Sequence, residues 1–360
     1  MPMAAAWLAV IVIGGISGLV ALCLCWFLIG FGGQDSAEKH GISDTLSSRL
    51  GGVVIVFYLL FNAAYLWSFA GYSLSSLEGA VLTFVTIFFL MGLVEDITSK
   101  LTARIRFSLM VLASLGLMWF VSDLRLADVG IAWVDWILEL STVASIAFSA
   151  LCLAFLPNAF NTADGANGLV GGIGLTVLAA LALMTTNSLG VLQASGAVGC
   201  LVFLIFNLYT GRFFLGDGGA YAIGVLVGTS LIVVANSTNV SAWFLLTLIF
   251  YPAADLIWSM ARRIVGRRPV FEPDEEHLHN LIFYWISRQV SSKKLANNLT
   301  GLTIVTVFCL FPVILAWSNA ISLDGALWSY IVAGLWLLYA ISWFILRKYG
   351  SGPAGVFFGR

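Results

Sequence analysis

Phe88-Phe89-Leu90-Met91-Gly92-Leu93-Val94-Glu95-Asp96 closes an unbroken apolar run that begins near residue 79, and Lys100, Arg104 and Arg106 follow within ten residues. A span needs roughly 20 mainly apolar residues to cross about 30 Å of hydrocarbon. The run therefore reads as a membrane helix whose end is marked by two adjacent carboxylates and a basic anchor.

Working outward, ten further runs of the same kind lie between polar breaks. The eleven cover approximately 4–31, 50–70, 79–94, 107–122, 136–156, 169–186, 190–210, 219–235, 241–260, 299–317 and 326–346. The first lacks the Lys or Arg that precedes a signal-peptide core and is too long for one, so it reads as a retained span. Composition agrees: 60% of the 360 residues are hydrophobic and 10% charged, whereas soluble proteins average about 45–50% and about 25%. A soluble globe is excluded. With 17 basic residues against 18 acidic, the net charge of −1 gives no nucleic-acid surface and no acidic tail. Cys23, Cys25, Cys152, Cys200 and Cys309 are scattered without a CxxC spacing and read as small core residues.

The breaks decide orientation. Those at 32–49, 95–106, 157–168, 211–218, 261–298 and 347–360 fall on one side and hold every Lys and Arg except Arg125. By the positive-inside rule that side is cytoplasmic. The fold expected is all-α: a polytopic bundle of about eleven transmembrane helices in a single integral membrane domain, 1–360, with the N-terminus outside and the C-terminus in the cytoplasm. Asn280 to Leu299 mixes apolar and basic residues, as a helix along the headgroup plane does; a plain basic connector reads equally well.

Four acid-bearing places fall on that one face, and a carboxylate near hydrocarbon tends to be kept for pairing, metal or chemistry. Glu95 and Asp96 repel one another unless a cation sits near, and a hard divalent ion with a phosphate ligand would satisfy both them and the bases that follow. Asn158, Asn161, Asp164 and Asn167 recur every third residue and would share one face of a helical or 3₁₀ turn, offering donors for a sugar or uracil ring and an acceptor for a metal. Asp217 stands among glycines where the next span begins, so N–H groups would face an anion while the carboxylate holds a cation. Last, Arg267-Arg268 precede Asp274-Glu275-Glu276-His277-Leu278-His279, whose imidazoles and guanidiniums suit phosphate oxygens better than zinc. Asp255, inside the ninth run, reads as a partner for Arg262 or a helper to the site. Taken singly, each place also reads as a polar turn or helix end.

At these residues the chain resembles the polyprenyl-phosphate N-acetylhexosamine-1-phosphate transferases of bacterial membranes. The likeness runs from Lys39 to about Asn280: Lys39-His40 with Arg49-Leu50-Gly51-Gly52, the pair Glu95-Asp96, the segment Asn158 to Gly172, the segment Phe214 to Gly224, and His277-Leu278-His279-Asn280. The resemblance implies transfer of a sugar-1-phosphate from a UDP-N-acetylhexosamine to undecaprenyl phosphate with release of UMP, at the cytoplasmic face of the inner membrane, initiating O-antigen or exopolysaccharide synthesis. It implies Mg²⁺, with Mn²⁺ as the alternative, held by Asp217 and Asp96. Asp96, Asp217, Glu95 and Asp164 would be catalytic. Asn158, Asn161, Asn167, Arg104, Arg106, Arg268, His277, His279 and Lys39 would bind substrate. The bilayer is a partner, nucleic acid is not, and a homodimer is admitted.

Three positions depart from the family pattern. Glu95 replaces the first Asp of its acid pair, Asn167 replaces the second Asp of its Asp-x-x-Asp segment, and Asn280 stands where many relatives carry another His. They place the chain nearer the polysaccharide initiators than the peptidoglycan enzyme. Two other classes stay open on sequence alone: a secondary transporter, and an inactive scaffold of a polysaccharide assembly system.

Overall fold

Short polar residues start the helices where the apolar runs begin. In this computed structural model, residues 16–24, 26–28, 34–35, 47–69, 75–272 and 274–350 are described. They form α1 (Gly51–Phe69), α2 (Ser76–Thr98), α3 (Ala103–Phe120), α4 (Ala132–Leu140), α5 (Thr142–Ala163), α6 (Leu169–Met184), α7 (Ser188–Thr210) and α8 (Gly216–Ser237). Then follow α9 (Ala242–Leu248), α10 (Phe250–Val265), α11 (Leu278–Ser287), α12 (Lys293–Val305), α13 (Phe311–Trp317) and α14 (Leu327–Gly350). Ser75 opens α2 with a capping box, its N–H donating to Glu78 Oε2 at 2.7 Å while its hydroxyl accepts the Glu78 N–H. Thr102 and Ser141 cap α3 and α5 through their hydroxyls, which accept the N–H groups of Ile105 and Ala144.

The result is the expected all-α bundle. Among the described residues, eight stretches are long and apolar enough to cross a membrane: α1, α2, α3, α5, α7, α8, the continuous α12–α13 unit and α14. The α9–α10 pair makes a ninth if taken as one broken span, bent by 81°. Pro252 explains the break, because it has no N–H to bond back toward Leu248. Of the other two runs expected, α6 has 16 residues and so falls short of a full span, and 4–31 is described only in part. Pro312 likewise accounts for the π turn Thr306–Leu310 inside the last-but-one span, since its ring crowds the carbonyl four residues earlier.

The stretch from Asn280 to Leu299 is helical on both sides of a short break, α11 running to Ser287 and α12 starting at Lys293. The helix α11 buries Leu281, Phe283 and Ile286 and leaves Tyr284 and Trp285 exposed, packing on α12.

The centre of the bundle is α8, 94% buried, with α2, α5, α1 and α6 around it. Gly92 on α2 permits one of these close approaches: a Cβ there would stand 2.4 Å from Gly218 N. One departure from pure helix positions the site. Residues 34–35 and 47–48 pair as two-residue antiparallel strands, and Ser48 pairs with the segment before α8: its N–H donates to Arg212 O at 3.0 Å and its carbonyl accepts Phe214 N–H at 2.8 Å. The ladder continues as Gly51 N–H and Gly52 N–H donate to Phe214 O and Leu215 O, so Arg49 is carried to the start of α8.

Candidate active site

The end of α2 meets the beginning of α8. Asp96 is 7% exposed, and its Oδ1 and Oδ2 accept the N–H groups of Asp217 at 3.0 Å and Gly218 at 2.9 Å. A carboxylate at a helix N-terminus satisfies orphan donors and complements the dipole. Asp217 in turn is ion-paired with Arg106, which reaches over from the first turn of α3. The same guanidinium stands 3.9 Å from Glu95, while Glu95 Oε2 accepts Leu101 N–H at 2.7 Å and so shapes the turn between α2 and α3.

The third contributor is the end of α5. Asn161 faces the Asp217 side chain, and Asp164, the residue that terminates α5, lies beside the Gly216 N–H. Burial, followed by the charges of Asp217 and Asp96, pushes the Asp164 carboxyl up to about 7. Arg49 supplies positive potential to Asp96, Asp164 and Asp217 alike. Sequence reasoning placed Arg49 in the first loop but not in the site; its place follows from the Ser48 ladder, which no local pattern announces.

The fourth contributor is the segment 274–279. His277 Nδ1 is 2.6 Å from Asp255 Oδ2, and Asp255 Oδ1 accepts Leu278 N–H at 3.1 Å and Tyr339 Oη–H at 2.6 Å. His279 Nδ1 lies 3.2 Å from Tyr251 Oη, and the two imidazoles are parallel with centroids 5.4 Å apart. His279 seats itself on Gly165: a Cβ at that position would stand 2.1 Å from Nε2. The histidines therefore abut the turn that carries Asp164. Burial alone would depress the His277 imidazole, but Asp255 and Asp274 outweigh it and raise it, whereas burial lowers His279 to about 4.

Not all the expected residues gather here. Asp255 pairs with His277 and not with Arg262, whose partners are Asp274 at 2.6 Å and Glu276 at 3.0 Å. The strip of amides divides, because α5 stops at Asp164: Asn158 donates to Met110 Sδ and to Ala154 O. Asn167 binds away from the acids, its N–H and Nδ2 donating to Asn297 and Asn298 on α12. Arg104 lies over the Phe271 ring, 5.8 Å from its centroid, and Arg268 is exposed in the turn after α10. Lys39 lies outside the described residues.

Fully ionised, Glu95, Asp96, Asp164 and Asp217 exceed Arg49 and Arg106 by two negative charges, an excess that one divalent cation would balance. Among the described residues, Tyr221 Oη and Arg106 Nε are buried there without partners. Among the described residues no three Asp, Glu, His or Cys side chains close around one point, but Mg²⁺ usually takes one or two carboxylates together with substrate phosphates and water. The donor set fits such an ion.

The chain is similar to known proteins over much of its length. The family model of glycosyl transferase family 4 matches residues 78–235. A decaprenyl-phosphate N-acetylglucosaminephosphotransferase of Mycobacterium leprae is 26% identical over 305 residues, 73% of this chain and 75% of that protein. An undecaprenyl-phosphate alpha-N-acetylglucosaminyl 1-phosphate transferase of Thermotoga maritima is 28% identical over 196 residues, 54% of this chain and 57% of its own. A probable undecaprenyl-phosphate N-acetylglucosaminyl 1-phosphate transferase of Bacillus subtilis is 24% identical over 270 residues, 73% of each.

Proposed function

We propose that the chain, whose residues 78–235 match the model of glycosyl transferase family 4, transfers an N-acetylhexosamine-1-phosphate from a UDP-sugar to a polyprenyl phosphate, releasing UMP. The observation that carries the reading is the meeting of three acid-bearing stretches, Glu95-Asp96, Asn161 to Asp164 and Asp217, at one end of the bundle beside Arg49 and Arg106. Such a pocket suits two phosphoanions that repel each other and must be brought into line.

In this reading an oxygen of the lipid phosphate attacks the sugar-side phosphorus, and the bond to the UMP oxygen breaks. Asp217 would hold Mg²⁺, or Mn²⁺, together with phosphate oxygens; when bound, the ion supplies charge neutralisation at the reacting phosphates. Asp96 fixes the start of α8 and thereby the aim of Asp217. Arg106 exchanges its pairing with Asp217 for the incoming diphosphate, and Arg49 adds positive potential where charge spreads. Asn161 and Asp164 face the nucleotide. His277 and His279 hold the sugar-diphosphate from the other side. The lipid phosphate is already largely ionised near neutral pH, so orientation of the nucleophile is worth more than its deprotonation.

The basic breaks support a cytoplasmic site in the inner membrane, with O-antigen or exopolysaccharide initiation as the role. A transporter of the inverted-repeat class would carry matched interrupted helices near the midplane; here the polar groups gather at one end. Membranes holding the protein, undecaprenyl phosphate and Mg²⁺ are to be offered UDP-GlcNAc and related UDP-N-acetylhexosamines in turn. UMP release with one of them is expected; no release with any overturns the reading.

A further inference from the structure

The family match ends at residue 235, yet a buried polar network beyond it reaches the site. Its centre is Asp255 on α10, 1% exposed, with each carboxylate oxygen assigned. Oδ2 takes His277 Nδ1, and Oδ1 takes Tyr339 Oη–H from α14 together with the Leu278 N–H at the start of α11. The segment just before His277 is clamped as well. Arg262 holds Asp274 and Glu276, Arg347 holds Glu276 at 3.1 Å, and Trp343 Nε1 donates to Glu276 O at 2.8 Å. The guanidiniums of Arg262 and Arg347 both lie over the Trp343 ring, 5.0 and 4.9 Å from its centroid. Meanwhile His277 Nε2 makes no hydrogen bond among the described residues.

We infer that Asp255, braced by Tyr339, is a positioning residue for the transfer: it accepts the Nδ1–H of the His277 imidazolium and fixes the ring so that Nε2–H alone is left to donate to a phosphate oxygen of the sugar nucleotide. The inference rests on the reaction proposed above. A carboxylate that accepts from one imidazole nitrogen orients the other, as it does for histidines that serve metals and nucleophiles. The groups facing His277 are Asp255 and Arg262 on α10, Asp274 in the clamped segment, His279 on α11 and Tyr339 on α14; of these, Asp255 and Asp274 favour the doubly protonated ring that an anion would want. Removal of a partner of this kind costs about 10- to 100-fold in activity.

Two measurements test it. First, the chain has three histidines, so ¹⁵N-histidine spectra of the purified protein are assignable with His40→Gln, His277→Gln and His279→Gln. His277 is expected to show a protonated, strongly hydrogen-bonded Nδ1 that Asp255→Asn abolishes; an unchanged signal in Asp255→Asn overturns the inference. Second, UMP release is to be followed against pH. Asp255→Asn is expected to lose about as much activity as His277→Gln, with the double variant no worse and the alkaline limb of the single variant displaced to lower pH. Tyr339→Phe should lose less activity than Asp255→Asn. Losses that simply add, or an unmoved profile, overturn it. If the wild-type protein releases no UMP although the spectra show the pair, the transferase reading fails while the Asp255–His277 pairing stands.

Discussion

Asp96 caps the helix that presents Asp217: its two oxygens receive the N–H groups of Asp217 and Gly218 at 3.0 and 2.9 Å. The two acids therefore act in series, one building the platform for the other. Asp96→Asn sets an amide NH₂ against a backbone donor, and Asp96→Ala strips the cap, which is worth about 1 kcal/mol. Both variants should remain in the membrane and melt slightly earlier, and UMP release should fall by about 100-fold or more through displacement of Asp217. Full activity in either would remove Asp96 from the site.

The ion pair between Arg106 and Asp217 sets guanidinium and cation in competition for one carboxylate. Asp217→Asn should abolish release, and added Mg²⁺ should not restore it. Arg106→Gln should lower turnover by about tenfold or more, the loss of one charge-stabilising donor, yet bring half-maximal activation to a lower Mg²⁺ concentration because Asp217 is freed. EDTA should silence the wild-type protein and Mg²⁺ or Mn²⁺ restore it. Titrating UMP release against metal in both variants measures this; activation at higher Mg²⁺ in Arg106→Gln would contradict the exchange.

What could be read ahead of the fold followed from hydrophobicity. The run ending at Glu95-Asp96 appears as α2 nearly in full, and the grouping of the acid stretches at one end follows from counting spans between them. Partners across elements were not legible. Asp255 sits in an apolar run 22 residues before His277, and nothing local distinguishes that carboxylate from one that pairs with Arg262. The threefold spacing of Asn158, Asn161, Asp164 and Asn167 promised one face, but it assumed that the helix continued. Asp164 ends it, and Gly168 at φ +77° turns the chain, so Asn167 points to α12.

That geometry gives Asn167 a structural duty. Asn167→Ala leaves Asn298 on α12 and Asn207 on α7 short of a partner while the backbone N–H keeps its bond to Asn297, and buried hydrogen bonds left unmade cost about 1–3 kcal/mol. Earlier thermal unfolding in detergent is expected, with the KM for the UDP-sugar close to that of the wild-type protein. A large rise in KM without loss of stability would return Asn167 to the binding role its spacing implied.

The two imidazoles should bend stability in opposite directions with pH. His277 is raised above its unfolded value of about 6.5, so its contribution is complete below that value and is lost as pH rises through the raised one. His279 is lowered to about 4, so its contribution is present above about 6.5 and is lost as pH falls toward 4. Melting temperatures of the wild-type protein in detergent should therefore decline on both sides of a maximum. His279→Gln should flatten the acid side only, and His277→Gln the alkaline side only. Identical profiles for the two variants would refute the assignment.

Gly165 is the seat of His279, with room for no more than a hydrogen: a Cβ would stand 2.1 Å from Nε2. The ring cannot tilt freely, because Nδ1 is held by Tyr251 and His277 lies parallel to it. Gly165→Ala should therefore displace the histidine segment from the Asp164 turn, lowering UMP release by about tenfold or more, as misplacement of groups in a positioned site does, while the spans stay assembled. His279→Ala made alone should also be impaired, since it empties the seat. Combined with Gly165→Ala it removes the clash, so the double variant should be less impaired than the two losses multiplied would give. Fully multiplicative losses would mean that Gly165 matters for the turn itself and not for the imidazole resting on it.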